Sequence, residues 1–460
     1  MALLVDIAPR PDTVSGGFVP VAAVWLLAGS RRPGWCFSPG ARCYSHLPSA
    51  PMKALLYGVR PESQPAPADD NPLLQALART PMQLVDVDDA RPLRPDWVVT
   101  KPRLTGICGS DSKQVFMDWG DVGSPDNPMK AFFSLPQVLG HEVVADVVAL
   151  GPEAEGLEVG DRVVLNPWLT CAPRGVTPIC PACEAGDLSL CWSFAVGPIA
   201  PGIHIGTSKD ASGGWAELMA AHDSMLFKVP DALPDELAVL ADPFAVSLHS
   251  ITRHSPPAGG RVMVYGAGAL GTCAIAILRA LHPDVEVLAV ARFDAQAELA
   301  RALGATVIGH EPALKVIEEA ADWSGGVLQP ADGLPMAYPG AIDVVYDTIG
   351  KRETFEVGAR VLRARGTIVK AGVHGPTFWE DTPLYFKELS LVGSNAFGLE
   401  EVEGVRQHGI DHYLDLATTG RVDLTGMLTH TFRLDEWRDA FAALATQDRS
   451  GAIKVAFDFR

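Results

Sequence analysis

The stretch Gly266-x-Gly268-x-x-Gly271 constrains this chain more than any other. It stands between an apolar, strand-like run, Arg261-Val262-Met263-Val264-Tyr265, and a helix-like run that continues to Leu281. In that context each glycine has its own task. The first permits a tight turn, the second lets a pyrophosphate approach the backbone, and the third lets helix and strand pack closely. Ala269 and Leu270 lie where the helix begins, and amide donors and dipole there favour an anion. Further strands are expected over 285–290, Ile342–Asp347 and 366–370, with a helix over 294–303. Alternation of this kind predicts an α/β, doubly wound parallel sheet.

Upstream the pattern is different. From Met52 to about Val229, short Val-rich runs such as 142–148 and 160–165 are broken by Gly, Pro and Asp. These features predict a small, irregular β-rich domain, whose first strand is expected in MKALLYGV from Met52. Residues 1–51 contain neither lysine nor glutamate and only four arginines, and are expected to be a disordered extension or an over-called start. Their apolar stretch, 17–29, has the length of a signal-peptide core but little basic sequence ahead of it. Pro230-Asp231 is expected to open a helical stretch running toward His254. With 460 residues, more than one domain is the expectation.

The β-rich part carries candidate metal donors. Cys108, Ser110 and Asp111 lie within Thr105-Gly106-Ile107-Cys108-Gly109-Ser110-Asp111, and His141 and Glu142 follow Gly140. A cysteine, a histidine and nearby carboxylates suit a zinc that keeps one position open for chemistry. A second group is Cys180-x2-Cys183-x7-Cys191 with Cys171 upstream. Four thiolates close a tetrahedral site, so a metal held there would be structural. Crowded cysteines in a chain this long fit metal ligation better than a disulfide framework, which places the protein in a reducing, cytoplasmic compartment. The net charge of −18 argues against a nucleic-acid surface. No apolar run reaches the roughly 18–20 residues of a membrane span.

The cofactor is read at the end of the second strand of the nucleotide fold, where an acidic residue would bond the ribose hydroxyls and an arginine would favour a 2′-phosphate. Here the chain reads Val290-Ala291-Arg292-Phe293-Asp294. Ala291 stands where the acid is expected and Arg292 follows it, favouring NADP(H) over NAD(H); Asp294 is the residue that could reverse this.

Taken jointly, CGSD at 108–111, GHE at 140–142, Asp242-Pro243, GDRV at 160–163, the cysteine loop and GAGALG at 266–271 identify a resemblance. Over 52–460 the chain resembles the zinc-containing medium-chain dehydrogenases/reductases, the alcohol and polyol dehydrogenase family. The resemblance implies a GroES-like catalytic domain over 52–243, a Rossmann domain over 244–396 and a C-terminal return over 397–460. It implies Cys108 and His141 as ligands of a catalytic zinc, with Glu142 a close carboxylate able to exchange onto the metal. Asp242 stands where the polyol branch places a glutamate and the alcohol branch a cysteine, and Asp111 would orient His141. Three departures stand out: Asp242 is short for its place, Thr177 occupies the position of the first loop cysteine so that Cys171 must reach in, and Lys113 replaces a relay histidine. Lys454, in a closing strand over 453–457, resembles a basic residue that contacts the cofactor pyrophosphate; a solvated lysine is the plain alternative.

The implied activity is hydride transfer between an alcohol and an aldehyde or ketone. Zinc would act as a Lewis acid, Ser110 as proton relay and the nicotinamide as hydride carrier. NAD-dependent polyol oxidation is the near alternative, and a non-catalytic nucleotide-binding sensor the distant one. The family forms dimers and tetramers, so a homo-oligomer is expected. Phe116, Met117, Trp119 and Phe132 are expected to give the substrate pocket an apolar wall, whereas His249, His254 and His374 are set aside as packing or surface residues.

Overall fold

The computed structural model describes residues 51–62, 64, 68–88, 90–118, 131–375 and 377–460. The expectation of a disordered extension over 1–51 falls, but for Pro51, outside them, as does the placing of Trp119. Among the described residues no helix is long and apolar enough to cross a membrane.

Two sheets dominate. The second, in chain order, is the one the glycine fingerprint requires. Its six strands run in the spatial order Thr306–Gly309, Glu286–Ala291, Arg261–Tyr265, Ile342–Asp347, Leu362–Lys370, Ser390–Gly393, and every pairing is parallel. These strands are apolar because helices cover both faces: Val262 and Val264 pack in one core cluster, Met263 and Val345 in another. The chain reverses its direction of progress between Arg261–Tyr265 and Ile342–Asp347, and the crevice at such a reversal is where ligands bind.

The other large sheet has seven strands. Trp97–Gly106 is central and pairs antiparallel with Glu142–Leu150, which pairs with Arg162–Leu165. On its other side Trp97–Gly106 receives Lys454–Asp458, with Ala456 opposite Gly106. The C-terminal strand thereby returns to the sheet that carries Glu142 and leads into Cys108. Its start sets Lys454 beside the ends of Trp97–Gly106 and the following loop.

One expected element divides. The helical stretch from Pro230 forms as Asp235–Ala238 and, separately, Ala241–Arg253. Pro234 caps the first piece, which ends within a turn, so that Asp242 begins a new helix facing the interior. That helix packs against Ala269–Leu281, tying the two sheets together at the crevice.

Candidate active site

A cavity of about 1990 Å³ opens between the two sheets. Cys108, Ser110 and His141 line it from one side, Gly268, Arg292 and Lys370 from the other. It exceeds the roughly 300–1,000 Å³ of a usual small-molecule pocket, leaving room for a dinucleotide and a second reactant.

The donors are placed by local backbone needs. Cys108 is extended and caps the helix Gly109–Val115; its N–H donates to Asp111 Oδ2 at 3.2 Å. The other carboxylate oxygen, Oδ1, lies 3.4 Å from His141 Nδ1, and both side chains are buried. Asp111 therefore serves the helix end and lies beside the imidazole, with which Cys108 also interacts. Burial opposes a charged His141, but Asp111 and then Cys108 outweigh it and hold the imidazole well above its ordinary value in the metal-free chain. Gly140, at φ +91°, makes the turn before it, and a Cβ there would strike the Trp215 ring.

Glu142 and Asp242 complete the group. Glu142 is buried and in ionic contact with the equally buried Lys454, although its Oε2 lacks aligned hydrogen-bond geometry. Gly106 lets this carboxylate in, since a Cβ there would collide with Glu142 Oε2. Burial pushes the Asp242 carboxyl up to about 7, with His141 pulling it down and Glu142 pushing it up. A half-buried thiol with a buried imidazole and two buried carboxylates fits a zinc with an open position. They are not drawn as tightly as the cysteine cluster: among the described residues only the latter has three or more ligand atoms mutually within 4.8 Å.

Lys454 corrects the solvated alternative. It is 2% exposed, and its Nζ donates to Ile107 O at 3.1 Å besides meeting Glu142.

On the nucleotide side, Gly266 adopts φ +100°, Gly268 caps Ala269–Leu281, and a Cβ on Gly271 would strike the Gly266 carbonyl. A Cβ on Gly268 would come no nearer to anything than 3.8 Å from Gln296, so the turn is an open cradle at a helix N-terminus. Ala269, Leu270 and Arg292 line the cavity; Gly271, Ala291 and Asp294 do not. Arg292 is exposed, with its guanidinium carbon 5.1 Å from the Phe293 ring centroid.

Cys171, Cys180, Cys183 and Cys191 close around one point, so the insertion before Cys180 is spanned. Cys171 Sγ lies 3.7 Å and Cys180 Sγ 3.9 Å from Cys191 Sγ. Three backbone N–H groups, of Cys180, Trp192 and Ser193, donate to sulfurs of the cluster, an environment for thiolates. Sequence reasoning passed over the residue that shapes this loop. Arg174 is fully buried and gives its guanidinium to the carbonyls of Leu169, Val196, Ile199, Ala200 and Gly202.

The pocket wall is partly as expected. Phe116 and Met117 line the cavity, while Phe132 packs against the main core. His249 and His374, set aside on sequence, also line it; His249 is occupied by Glu400, 2.7 Å away. His204 was missed altogether. Its ring centroid lies 4.5 Å from that of His141, and burial, aided by His141, pushes it down to about 3.

Comparison with known proteins agrees with this geometry. Residues 94–231 match the family model described as the alcohol dehydrogenase GroES-like domain, and residues 269–410 that of the zinc-binding dehydrogenase. The chain is 28% identical over 378 residues to a Saccharomyces cerevisiae protein named as a probable diacetyl reductase forming (R)-acetoin, covering 78% of this chain and 83% of that one. It is 29% identical over 362 residues to L-threonine 3-dehydrogenase of Aeromonas salmonicida, covering 78% and 92%. The fold is shared with 2R,3R-butanediol dehydrogenase from Bacillus subtilis at a TM-score of 0.64 and 21% identity, over 89% of this chain and 100% of that one.

Proposed function

The chain belongs to the zinc-dependent alcohol and polyol dehydrogenases of the medium-chain dehydrogenase/reductase family, and from that premise we propose that it interconverts a small alcohol and its ketone or aldehyde with NADP(H). The observation that carries this reading is the opening of the Cys108–His141 pair and the glycine cradle into one cavity. The names of the relatives, diacetyl reductase and L-threonine 3-dehydrogenase, favour small, polyfunctional substrates.

Bound between Cys108 and His141, with Glu142 or Asp242 in reserve, zinc would supply a Lewis acid that eases loss of an alcohol proton. Asp111 holds His141 in place. Ser110, half-buried at the cavity wall, takes up the proton and passes it outward. Lys113, at the rim, donates to the Val373 carbonyl and stands where the relay histidine is replaced. Lys454 offsets the charge of Glu142, and its place in the cavity lining lets it lie toward the cofactor pyrophosphate. The four cysteines would hold a second, structural zinc. The domain limits proposed are 52–243, 244–396 and 397–460. Self-association is part of the reading: the sheet ends on the edge strand Ser390–Gly393, and Phe378, Tyr385 and Phe386 just before it are exposed.

Arg292 decides the cofactor. Fluorescence titration should show NADPH binding more tightly than NADH, and Arg292→Ala should weaken NADPH by about 10- to 100-fold, the worth of one or two charge-assisted hydrogen bonds. NADH should be nearly unaffected. Tighter binding of NADH to the wild type would overturn the assignment and favour NAD-dependent polyol oxidation.

A further inference from the structure

His204 sits on the same wall as the metal donors yet belongs to none of the roles above. Its backbone is fixed at both ends. His204 N donates to Thr207 Oγ1 at 3.0 Å, and that hydroxyl donates back to His204 O at 2.6 Å. Leu169 N donates to Ile203 O and Ile205 N to Pro167 O, forming a bridge between Trp168 and His204. The ring is held edge-on to Trp168, with centroids 5.8 Å apart, and tilted against His141. Side chains so restrained can impose geometry on a ligand.

The tautomer follows from one contact. His204 Nδ1 lies 2.6 Å from the Ile205 carbonyl oxygen, which can only accept, so Nδ1 carries the proton. Nε2 is then a lone-pair acceptor. Among the described residues no group hydrogen-bonds it, and the side chain lines the cavity. The His204 ring centroid lies 4.5 Å from that of His141, so an acceptor on this ring is close to the place where the proposed reaction would occur.

We infer that His204 Nε2 accepts a hydrogen bond from a hydroxyl on the carbon adjacent to the reacting carbinol, making this a dehydrogenase for vicinal diols and, in reverse, α-hydroxy ketones. The inference rests on the proposed dehydrogenase activity. It supplies what that reading lacks, a group that distinguishes a diol from a simple alcohol. A site built to hydrogen-bond a substrate hydroxyl discriminates strongly against the analogue without it, because its own polar group is left unpaired.

The test compares 2,3-butanediol with 2-butanol as substrates of the wild type, His204→Phe and His204→Gln. Phenylalanine keeps a ring against His141 and Trp168 but has no acceptor; glutamine returns one. The wild type should prefer the diol. His204→Phe should lower kcat/KM for the diol by about 10- to 100-fold and change that for 2-butanol by less than about threefold, a split that a merely structural role would not give. His204→Gln should recover part of the preference. Should the phenylalanine variant be insoluble, His204→Asn, whose amide is too short to reach, takes its place. An equal fall on both substrates, or no change on either, would overturn the inference while leaving the dehydrogenase reading intact. A wild type that oxidises neither alcohol with NADP⁺ or NAD⁺ would overturn both.

Discussion

Cys108→Ser should lower kcat by on the order of 10³-fold or more while leaving thermal unfolding and cofactor affinity close to wild type. The expectation comes from what the thiol does and what it does not. In the proposed site Cys108 would ligate as a thiolate, and a serine hydroxyl stays protonated near neutral pH, so the substitution would remove a charged donor from the metal. It removes little else. Sulfur and oxygen differ modestly in size, and the link from Cys108 N to Asp111 Oδ2 is backbone and survives. The glycine cradle lies on the other sheet and should bind its dinucleotide as before. A variant that retains zinc and more than a tenth of wild-type turnover would remove Cys108 from the mechanism.

Lys454→Met should destabilise the zinc-loaded protein by about 3–5 kcal/mol, because it strands a buried carboxylate. Glu142 is 1% and Lys454 2% exposed, so water cannot replace the missing partner. Glu142 must then stay charged without its ion pair or take a proton, and either is costly. Burial alone would lower the pKa of Lys454, but Glu142, and beyond it Cys108, outweigh burial and raise it above the ordinary lysine value. A raised folded-state pKa gives stability that is complete below the unfolded-state pKa and lost as pH rises through the folded one. The contribution is therefore intact at neutral pH and fails only in alkali. Denaturant unfolding at pH 7 should show the loss, and Glu142→Gln/Lys454→Met should recover more than half of it. A single variant within about 1 kcal/mol of wild type would mean that the pair is not buried in solution.

How far the sequence foretold this depends on whether each feature is local. The glycine turn, its flanking strand and its helix are set by neighbours within a few residues, and Arg261–Tyr265 begins and ends where the pattern places it. The Cys108 and Asp111 arrangement is equally local, being a helix cap. The cysteine loop was legible in composition, although only the fold brings Cys171 across to Cys191. Lys454 was ambiguous because alternation along a closing strand does not reveal that a lysine faces inward. Its burial depends on Glu142, which lies on another strand of the same sheet. His204 was invisible for a similar reason. It lies in a Pro/Gly-rich loop with no periodicity, and an isolated bridge to Trp168, itself outside the strands, is what sets it against His141. The helix break before Ala241 lies where Pro243, the third residue of the new helix, has no N–H to give the Val239 carbonyl, a signal that is local in the sequence.

The most direct test of the zinc-dependent reading is metal analysis of the full chain during chelation, with NADP⁺-dependent oxidation of 2,3-butanediol followed in parallel. Two zinc ions should be present at the start. Activity should vanish as the first leaves from the open site and return when one equivalent is restored, while the ion within the four cysteines leaves later and with loss of structure. Full turnover by protein from which both ions have been removed would contradict the account.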